Sequence, residues 1–139
     1  MTEQQAFNRQ LIEEFRASRE NGDGKFAGRQ LLLLTTRGAR TGRPHTAPMM
    51  CVPDGDRVLV IASNAGATSH PDWYRNAVAH PAVTVEVGTE TYEATAVVLE
   101  GAERQRKWDE IVAAHAFFGD YQAKVTRTIP VIALVRREG

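Results

Sequence analysis

Residues 30–63 read QLLLLTTRGARTGRPHTAPMMCVPDGDRVLVIAS, and this stretch predicts three consecutive strands. The apolar run at 30–36 is short and bounded, which is typical of a buried strand. A second strand is predicted at 45–52, where Pro48 indicates a sheet edge or a bulge. Pro-Asp-Gly-Asp at 53–56 is a hairpin turn, so the chain returns as a third strand beside the second. The stretch therefore favours a mainly antiparallel sheet.

The rest of the chain predicts helices and three further strands. An amphipathic helix near the N-terminus has one apolar face, which carries Phe7, Leu11, Ile12 and Phe15. Asn-Gly-Asp-Gly at 21–24 ends that helix, which lies within residues 1–24. The third strand spans 57–63; the predicted helices lie at 3–20, 71–79 and 101–118, and the three further strands at 83–87, 92–98 and 130–135. The order α-β-β-β-α-β-β-α-β favours one α+β domain over residues 1–139, with about six mainly antiparallel strands that can close into a barrel and flanking helices.

The composition argues against several classes of function. The chain has 139 residues with 17 basic and 17 acidic side chains, whereas a general nucleic-acid-binding protein would carry a basic excess. The lone Cys51 excludes a disulfide framework and is expected to be an inert buried thiol, and the histidine spacing indicates no metal site. No apolar run approaches the roughly 20 residues of a membrane span, and the N-terminus does not resemble a signal peptide. We therefore expect a cytoplasmic protein.

The charges are unevenly distributed along the chain. Residues 31–50 carry three arginines and no acid, and residues 81–100 carry four glutamates and no base. Arg37, Arg40 and Arg43 recur at every third position in a turn whose glycines let the backbone bend tightly. Such side chains can surround a phosphate or a carboxylate with bidentate donors, which indicates a site for an anionic small molecule. The alternative is an ordinary solvated turn.

Two other segments are candidates for a ligand site. Residues 62–70, ASNAGATSH, are poor in bulky side chains, so a flat ring or a phosphate could approach the backbone; a plain connection is the alternative. Aromatic residues gather at 108–121, where they can cover a planar ligand or pack in the core. Tyr121 is the better functional candidate because its hydroxyl can donate to a substrate oxygen. The sequence has no catalytic triad or P-loop motif, so either the protein only binds a ligand or a cofactor supplies the chemistry.

Four segments resemble the deazaflavin (coenzyme F420)-dependent nitroreductase and quinone reductase family of actinobacteria. They are LLLLTTRGARTGRPHTAPMM at 31–50, DGDRVLVIASNAGATSHPDWYRN at 54–76, HPAVTVEVG at 80–88 and DYQAKVTRTIPVIAL at 120–134. The resemblance covers about half of the chain, in the family's order and spacing. It implies a split β-barrel related to the pyridoxamine-phosphate-oxidase-like proteins that bind flavin mononucleotide. It also implies coenzyme F420 as the cofactor, with flavin mononucleotide as the runner-up.

The resemblance implies roles for individual residues. The turn after the first strand would bind the coenzyme's phosphate and oligoglutamate tail, and the 62–66 segment would lie along the deazaflavin ring. The implied cofactor residues are Arg37, Arg40, Thr41, Gly42, Arg43 and His45 on the turn, and Ala62, Ser63, Asn64, Ala65 and Gly66 along the ring. Relatives often have a basic residue where this chain has Ala39, and can have arginine where it has His45, so the tail contact is weaker or shared with other arginines.

The implied substrate pocket lies near the C-terminus. It comprises His115, Phe118 and Tyr121. Relatives that reduce bicyclic nitroimidazoles can carry tyrosines at positions 115 and 118. This chain keeps only Tyr121 of that set, so the resemblance leaves nitroimidazole reduction open while still implying cofactor binding.

The implied activity is hydride transfer from the reduced coenzyme to an electron-poor acceptor such as a quinone, a nitroaromatic or a conjugated enone. Tyr121 or Ser63 could donate a hydrogen bond to the developing oxyanion. The alternatives are an oxidoreductase that uses flavin mononucleotide and a non-catalytic carrier of the deazaflavin or of a lipophilic ligand. We expect a monomer or homodimer. The helix at 3–20 is expected to pack on the barrel; the alternatives are a cover over the substrate or a peripheral membrane contact.

Overall fold

The computed structural model describes residues 3–21 and 31–137. In chain order, its elements are α1 (Glu3–Asn21), β1 (Leu31–Arg37), β2 (Pro44–Asp54), β3 (Arg57–Ile61), a short 3₁₀ turn (Asn64–Gly66), α2 (Asp72–Ala79), β4 (Ala82–Val87), β5 (Glu90–Val98), α3 (Gly101–Ala114), α4 (Phe117–Ala123) and β6 (Val131–Arg136). The predicted helix stop at 22–24 and the predicted strand start at Gln30 lie outside the described residues.

The six strands close into one barrel in the order β1-β2-β3-β6-β5-β4, and each neighbouring pair is antiparallel. Short turns join β1 to β2, β2 to β3 and β4 to β5, and β6 closes the barrel between β3 and β5. The register places Leu34 opposite Ala47 on one side and Val85 on the other. The predicted α+β barrel is therefore confirmed.

Strand β2 changes its partner halfway along its length. Residues 44–50 pair with β1, whereas residues 51–54 pair with β3. Among the described residues, the first half of β2 therefore has a strand on one side only. Pro48 lies in this half, where β2 is an edge strand and tolerates a residue without an N–H. The predicted sheet edge is therefore confirmed.

The core has two layers because side chains alternate between the two faces of each strand. The layer inside the barrel contains Leu32, Leu34, Val60, Val85, Ile132 and Leu134. The layer outside it, beneath α3 and α4, contains Leu59, Ile61, Trp108, Ile111, Phe118 and Ile129. Within β3, Val60 faces the first layer while its neighbours Leu59 and Ile61 face the second. The outer layer fixes the position of α4 on the barrel.

The prediction of a single helix over 101–118 is wrong, because this region forms α3 and α4. His115 ends α3 with φ −139° and ψ 80°, and its N–H donates to the Ile111 carbonyl. Gly119 lies inside α4. A Cβ at Gly119 would lie 3.2 Å from Cγ1 of Val112, so glycine lets α4 pack closely against α3. This break turns Phe118 and Tyr121 in a direction that a continuous helix would not allow.

Helix α1 rests on the barrel, as predicted. Phe15 is buried, and Arg16 donates two hydrogen bonds to Glu86 of β4, at 2.8 and 3.1 Å. Phe7, which belongs to the predicted apolar face, is 61% exposed. Over the described ranges, no helix combines the length and the apolar character that crossing a membrane requires.

Candidate functional site

A cavity of about 1320 Å³ opens beside the first half of β2, on the side where that half has no neighbouring strand among the described residues. Its wall is formed by Asn8, residues 38–41, His45, residues 47–50, Ile61, residues 63–65, residues 69–73, Arg75, Asn76, Phe117, Phe118 and Tyr121. A site for one drug-sized ligand is typically about 300–1,000 Å³. This cavity therefore has room for a large ligand, or for parts of two ligands side by side.

The turn between β1 and β2 lies at the cavity and is closed by its own backbone hydrogen bonds. The Gly38 N–H donates to the Arg43 carbonyl at 2.7 Å, and the Gly42 N–H donates to the Gly38 carbonyl at 2.9 Å. A Cβ on Gly38 would lie 2.7 Å from Oγ1 of Thr41 and 2.9 Å from Nε2 of His45, so a larger residue there would force both side chains to move. Gly42 has φ +72°, which glycine adopts without steric cost. These glycines give the turn a single compact shape.

The predicted anion-binding residues on this turn divide into two groups. Those on the cavity wall are Arg40, Thr41 and His45. Those beside the cavity, outside its wall, are Arg37, Gly42 and Arg43. All three arginines are exposed, and none of them forms an ion pair with another described residue. Their positive charge therefore remains available to an anionic ligand.

A buried asparagine, Asn76 of α2, fastens this turn to the barrel. Its Oδ1 accepts a hydrogen bond from the Ala39 N–H at 3.0 Å, and its Nδ2 donates to Oγ1 of Thr36 at 3.2 Å. Asn76 is 9% exposed and Thr36 is 1% exposed, so both groups need partners inside the protein. Asn76 was not among the predicted site residues. The available signal was a polar side chain on the same helical face as Trp73 and Ala77.

The predicted ring-binding segment takes a strained path. Asn64 and Ala65 have φ of 50° and 53°, and Gly66 has φ of 80°, so three successive residues are left-handed. Residues other than glycine rarely adopt this conformation. Ser63, Asn64 and Ala65 line the cavity, whereas Gly66 and the fully buried Ala62 do not.

The side chain of Arg127, which was not among the predicted site residues, binds the backbone of this segment. Its Nη2 donates to the Ser63 carbonyl at 2.9 Å and to the Ala67 carbonyl at 3.1 Å, and its Nε donates to the same Ala67 carbonyl at 3.2 Å. Its Nη1 donates to the Ala62 carbonyl at 3.2 Å and to Nδ1 of His70 at 3.0 Å. These partners lie 57 to 65 residues away in the sequence, so no local pattern indicates them.

His70 lies on the cavity wall as a neutral ring. Its Nδ1 must accept, because a guanidinium can only donate, and Nε2 of the neutral ring then carries the hydrogen. Burial, followed by the positive charges of Arg127 and Arg75, lowers the pKa of His70. The ring also contacts Tyr74, with 4.7 Å between centroids. His70 therefore offers the cavity a neutral hydrogen-bond donor.

Two of the three predicted substrate residues, Phe118 and Tyr121, lie on the cavity wall, and Tyr121 lies beside Gly66 of the ring segment. Phe118 is 4% exposed and packs against Phe117, with ring centroids 4.4 Å apart. His115 packs edge-on against Phe118 and lies outside the cavity wall. In the part of the chain that the structure describes, the hydroxyls of Tyr121 and Ser63 have no hydrogen-bond partner. Both are therefore free to bind a ligand.

The remaining candidates give no chemistry of their own. Cys51 is 4% exposed, and burial raises the pKa of its thiol to about 11, so the expected inert thiol is confirmed. Among residues 3–21 and 31–137, no group of three or more histidine, cysteine or acidic side chains could hold a metal ion.

Comparison with known proteins identifies relatives over most of the chain. The family model for F420H(2)-dependent quinone reductase matches residues 7–136. A Mycobacterium tuberculosis protein named F420H(2)-dependent quinone reductase Rv1261c is 36% identical over 109 residues, which are 76% of this chain and 73% of that protein.

Two solved structures are similar in both fold and sequence. One is described as an F420-H2 dependent reductase (FDR-A); it is 37% identical, has a TM-score of 0.70, and the match covers 76% of this chain and 94% of that chain. The other is described as a domain-swapped dimer; it is 33% identical, has a TM-score of 0.72, and the match covers 91% of this chain and 98% of that chain.

Proposed function

The chain belongs to the F420H(2)-dependent quinone reductase family, and from this premise we propose that it is an oxidoreductase that transfers a hydride from reduced coenzyme F420 to a quinone. The observation that carries the proposal is the cavity itself. Arg40 lies on its wall and Arg37 and Arg43 lie beside it, and none of the three forms an ion pair with a described residue. The Ser63 and Tyr121 hydroxyls on the wall have no hydrogen-bond partner among the described residues. The arginines suit an anionic cofactor tail, and the hydroxyls suit a planar acceptor.

The turn between β1 and β2 fits the charged part of the coenzyme. Arg40 and Thr41 line the cavity and would hold a phosphate by charge-assisted and hydroxyl hydrogen bonds. Arg37 and Arg43 lie beside them and raise the local positive potential, which favours an acidic tail. His45 and Gly42 complete the predicted set: His45 lies on the wall, and Gly42 shapes the turn.

The 62–66 segment fits a flat ring. Ser63, Asn64 and Ala65 present small side chains and backbone to the cavity, so a planar ligand can lie against them at van der Waals distance. When bound, the reduced deazaflavin supplies the hydride from C5 of its ring. Ala62 and Gly66 would not touch the ring: Ala62 is buried beneath the segment, and Gly66 packs against Tyr121.

The acceptor would lie between the ring segment and α4. Hydride transfer needs the donor and acceptor atoms about 3–3.5 Å apart and water excluded, which the aromatic side chains of α4 promote. Tyr121 or Ser63 would donate a hydrogen bond to the acceptor oxygen as negative charge develops there. Phe118 forms the floor of this part of the cavity. His115 supports Phe118 by an edge-on contact and has no direct role in the proposal.

Binding and turnover can be measured separately. Deazaflavin fluorescence reports the affinity for F420, and absorbance of the reduced coenzyme reports its oxidation with menadione as acceptor. We expect Arg40→Ala to raise the dissociation constant about tenfold, since a charge-assisted contact is lost. Arg106→Ala, on the exposed face of α3, is the matched control and should have no effect. No coenzyme binding by the wild-type chain would contradict the proposal.

Two alternatives give different results in the same assays. An enzyme that uses flavin mononucleotide would purify as a yellow protein and would retain that flavin in preference to F420. A carrier would bind F420 tightly yet oxidise none of its reduced form across quinone, nitroaromatic and enone acceptors. The family supports neither alternative over the F420-dependent reductase.

The proposal extends to assembly and location. One similar structure is described as a domain-swapped dimer, which supports a homodimer for this chain over a monomer. Light scattering after size-exclusion chromatography would decide between the two. We propose a cytoplasmic location. The packing of Phe15 and the Arg16–Glu86 pair supports α1 as part of the barrel and not as a membrane contact, which cell fractionation would test.

A further inference from the structure

We infer that Arg127 is a positioning residue, which holds the ring-facing segment in its left-handed shape and fixes the protonation of His70 at the cavity wall. The inference rests on the proposed function for its link to F420. Its structural basis is independent of the cofactor. A guanidinium has five N–H donors, and Arg127 makes five hydrogen bonds within its own chain.

This use of all five donors separates Arg127 from a ligand-binding arginine. Arg40 is exposed and has no side-chain partner among the residues that the structure describes, so its donors are available to an anion. Arg127 is half-buried, and its donors are consumed by the carbonyls of Ala62, Ser63 and Ala67 together with the His70 ring. Its role is therefore exerted on these groups and not on a ligand.

The carbonyls that Arg127 binds flank the strained residues on both sides. Ala62 and Ser63 precede Asn64 and Ala65 in sequence, and Ala67 follows them. Pulling these carbonyls onto one guanidinium closes the segment into a loop and keeps its two left-handed, non-glycine residues in place. Without this clamp, Ala65 would relax toward a right-handed or extended conformation, and the ring-facing surface would be lost.

Arg127 also links this segment to the helix that carries Tyr121. Gln122, the next residue of α4, donates to the Arg127 carbonyl at 2.7 Å and accepts from the Ile129 N–H at 2.9 Å. On the other side, Gly66 lies close to the Tyr121 ring. The backbone of Arg127 is therefore tied to α4 while its side chain is tied to the ring-facing segment. The two walls between which hydride transfer would occur are thus held at a set distance.

The first test compares affinity with stability. Arg127→Met removes all five donors but keeps the length of the stem, and we expect a tenfold or larger rise in the dissociation constant for F420. Arg127→Lys keeps the charge without the planar fork, so it should restore less than half of that loss. Arg104→Met is the matched control: Arg104 donates to the Ile129 carbonyl at 2.5 Å, outside the cavity wall.

The control separates positioning from general destabilisation. Both methionine variants should lower the melting temperature, but only Arg127→Met should weaken F420 binding, with Arg104→Met within twofold of wild type. Affinity losses that simply follow the melting temperatures of the two variants would overturn the inference. So would a folded Arg127→Met variant with wild-type affinity.

The second test is a rescue. Glycine takes φ near 53° without the Cβ cost of alanine, so Ala65→Gly should favour the same loop shape without the clamp. We expect Arg127→Met/Ala65→Gly to bind F420 at least threefold more tightly than Arg127→Met, and the same Ala65→Gly change to give a smaller gain when Arg127 is present. Absence of any recovery would show that Arg127 does not act through this strained segment.

The third test needs no cofactor. In two-dimensional ¹H–¹⁵N spectra, His70 of the wild-type chain should show an unprotonated, accepting Nδ1 and a protonated Nε2. Arg127→Met should lose this single tautomer, and Arg104→Met should keep it. An unchanged His70 signal in Arg127→Met would overturn the inference. If the wild-type chain failed to bind F420, the proposed function would fail, whereas the His70 spectrum would still decide whether Arg127 holds this wall.

Discussion

Replacing Asn76 with alanine is expected to loosen the arginine-rich turn without touching any arginine. The change removes the acceptor for the Ala39 N–H and the donor to the Thr36 hydroxyl. The turn would keep its internal hydrogen bonds between Gly38, Gly42 and Arg43. It would lose its attachment to the barrel, so its position relative to the cavity would no longer be set.

The size of the effect follows from the two lost bonds. Each contributes about 1 kcal/mol net to stability, or slightly more where the partner stays buried. Alanine regains about 0.5 kcal/mol in helix propensity over asparagine inside α2. The free energy of unfolding should therefore fall by about 1.5–2 kcal/mol, which lowers the melting temperature by roughly 5–7 °C for a chain of 139 residues. If re-forming the turn costs about 1 kcal/mol on binding, the dissociation constant for F420 rises about fivefold.

Thr36→Val provides the control, because it removes one of the two bonds. Valine has nearly the shape of threonine, so the Asn76 Nδ2 loses its partner while Oδ1 still accepts from Ala39. Thermal unfolding and F420 fluorescence titration of both variants separate the two effects. Both variants should be less stable, and only Asn76→Ala should bind F420 more weakly. Equal loss of affinity in the two variants, or none in Asn76→Ala, would refute the assignment of Asn76 as the anchor of the turn.

Three further predictions concern Tyr121, Gly66 and His70. Tyr121→Phe should lower the turnover of reduced F420 with menadione more than it lowers F420 affinity; equal losses would indicate a packing role. Gly66→Ala should weaken F420 binding and lower stability by about 1–2 kcal/mol, since alanine at φ +80° would be strained and its Cβ would lie 3.2 Å from the Tyr121 ring. Because burial and the charges of Arg127 and Arg75 lower the folded-state pKa of His70, its contribution to stability is present above the ordinary pKa of about 6.5 and is lost as pH falls below it. His70→Asn keeps an acceptor that does not titrate, so melting temperatures measured across this range should show a flatter pH dependence.

The strands were predictable because each carries its own local signal. The leucines of β1 form a bounded apolar run, and the valines of β4 alternate with polar residues. The residues at 53–56 are typical of a hairpin turn. The barrel follows from the number of strands and their hairpin connections. The break between α3 and α4 had no such signal, because Gly119 is required by packing against Val112, a contact between two helices.

The candidate site was predictable only in part. Arg40, Ser63 and Tyr121 carry side chains whose chemistry indicates ligand binding, and the cavity wall includes all three. Asn76 and Arg127 were missed because their contacts lie 37 to 65 residues away in sequence. A polar residue acquires such a role only when the fold brings backbone groups without partners to it.

The contacts of these two residues suit a reaction in which a bound cofactor supplies the hydride. In hydride transfer from a bound cofactor, the protein lowers the barrier mainly by orienting donor and acceptor, and a misplacement of about 1 Å can cost roughly a hundredfold in rate. Asn76 sets the height of the arginine-rich turn, and Arg127 sets the distance between the ring-facing segment and α4. Losing an exposed arginine such as Arg37 changes only the potential around the tail. Losing either anchor changes where the reacting atoms lie, so Asn76→Ala and Arg127→Met should lower turnover more than Arg37→Ala.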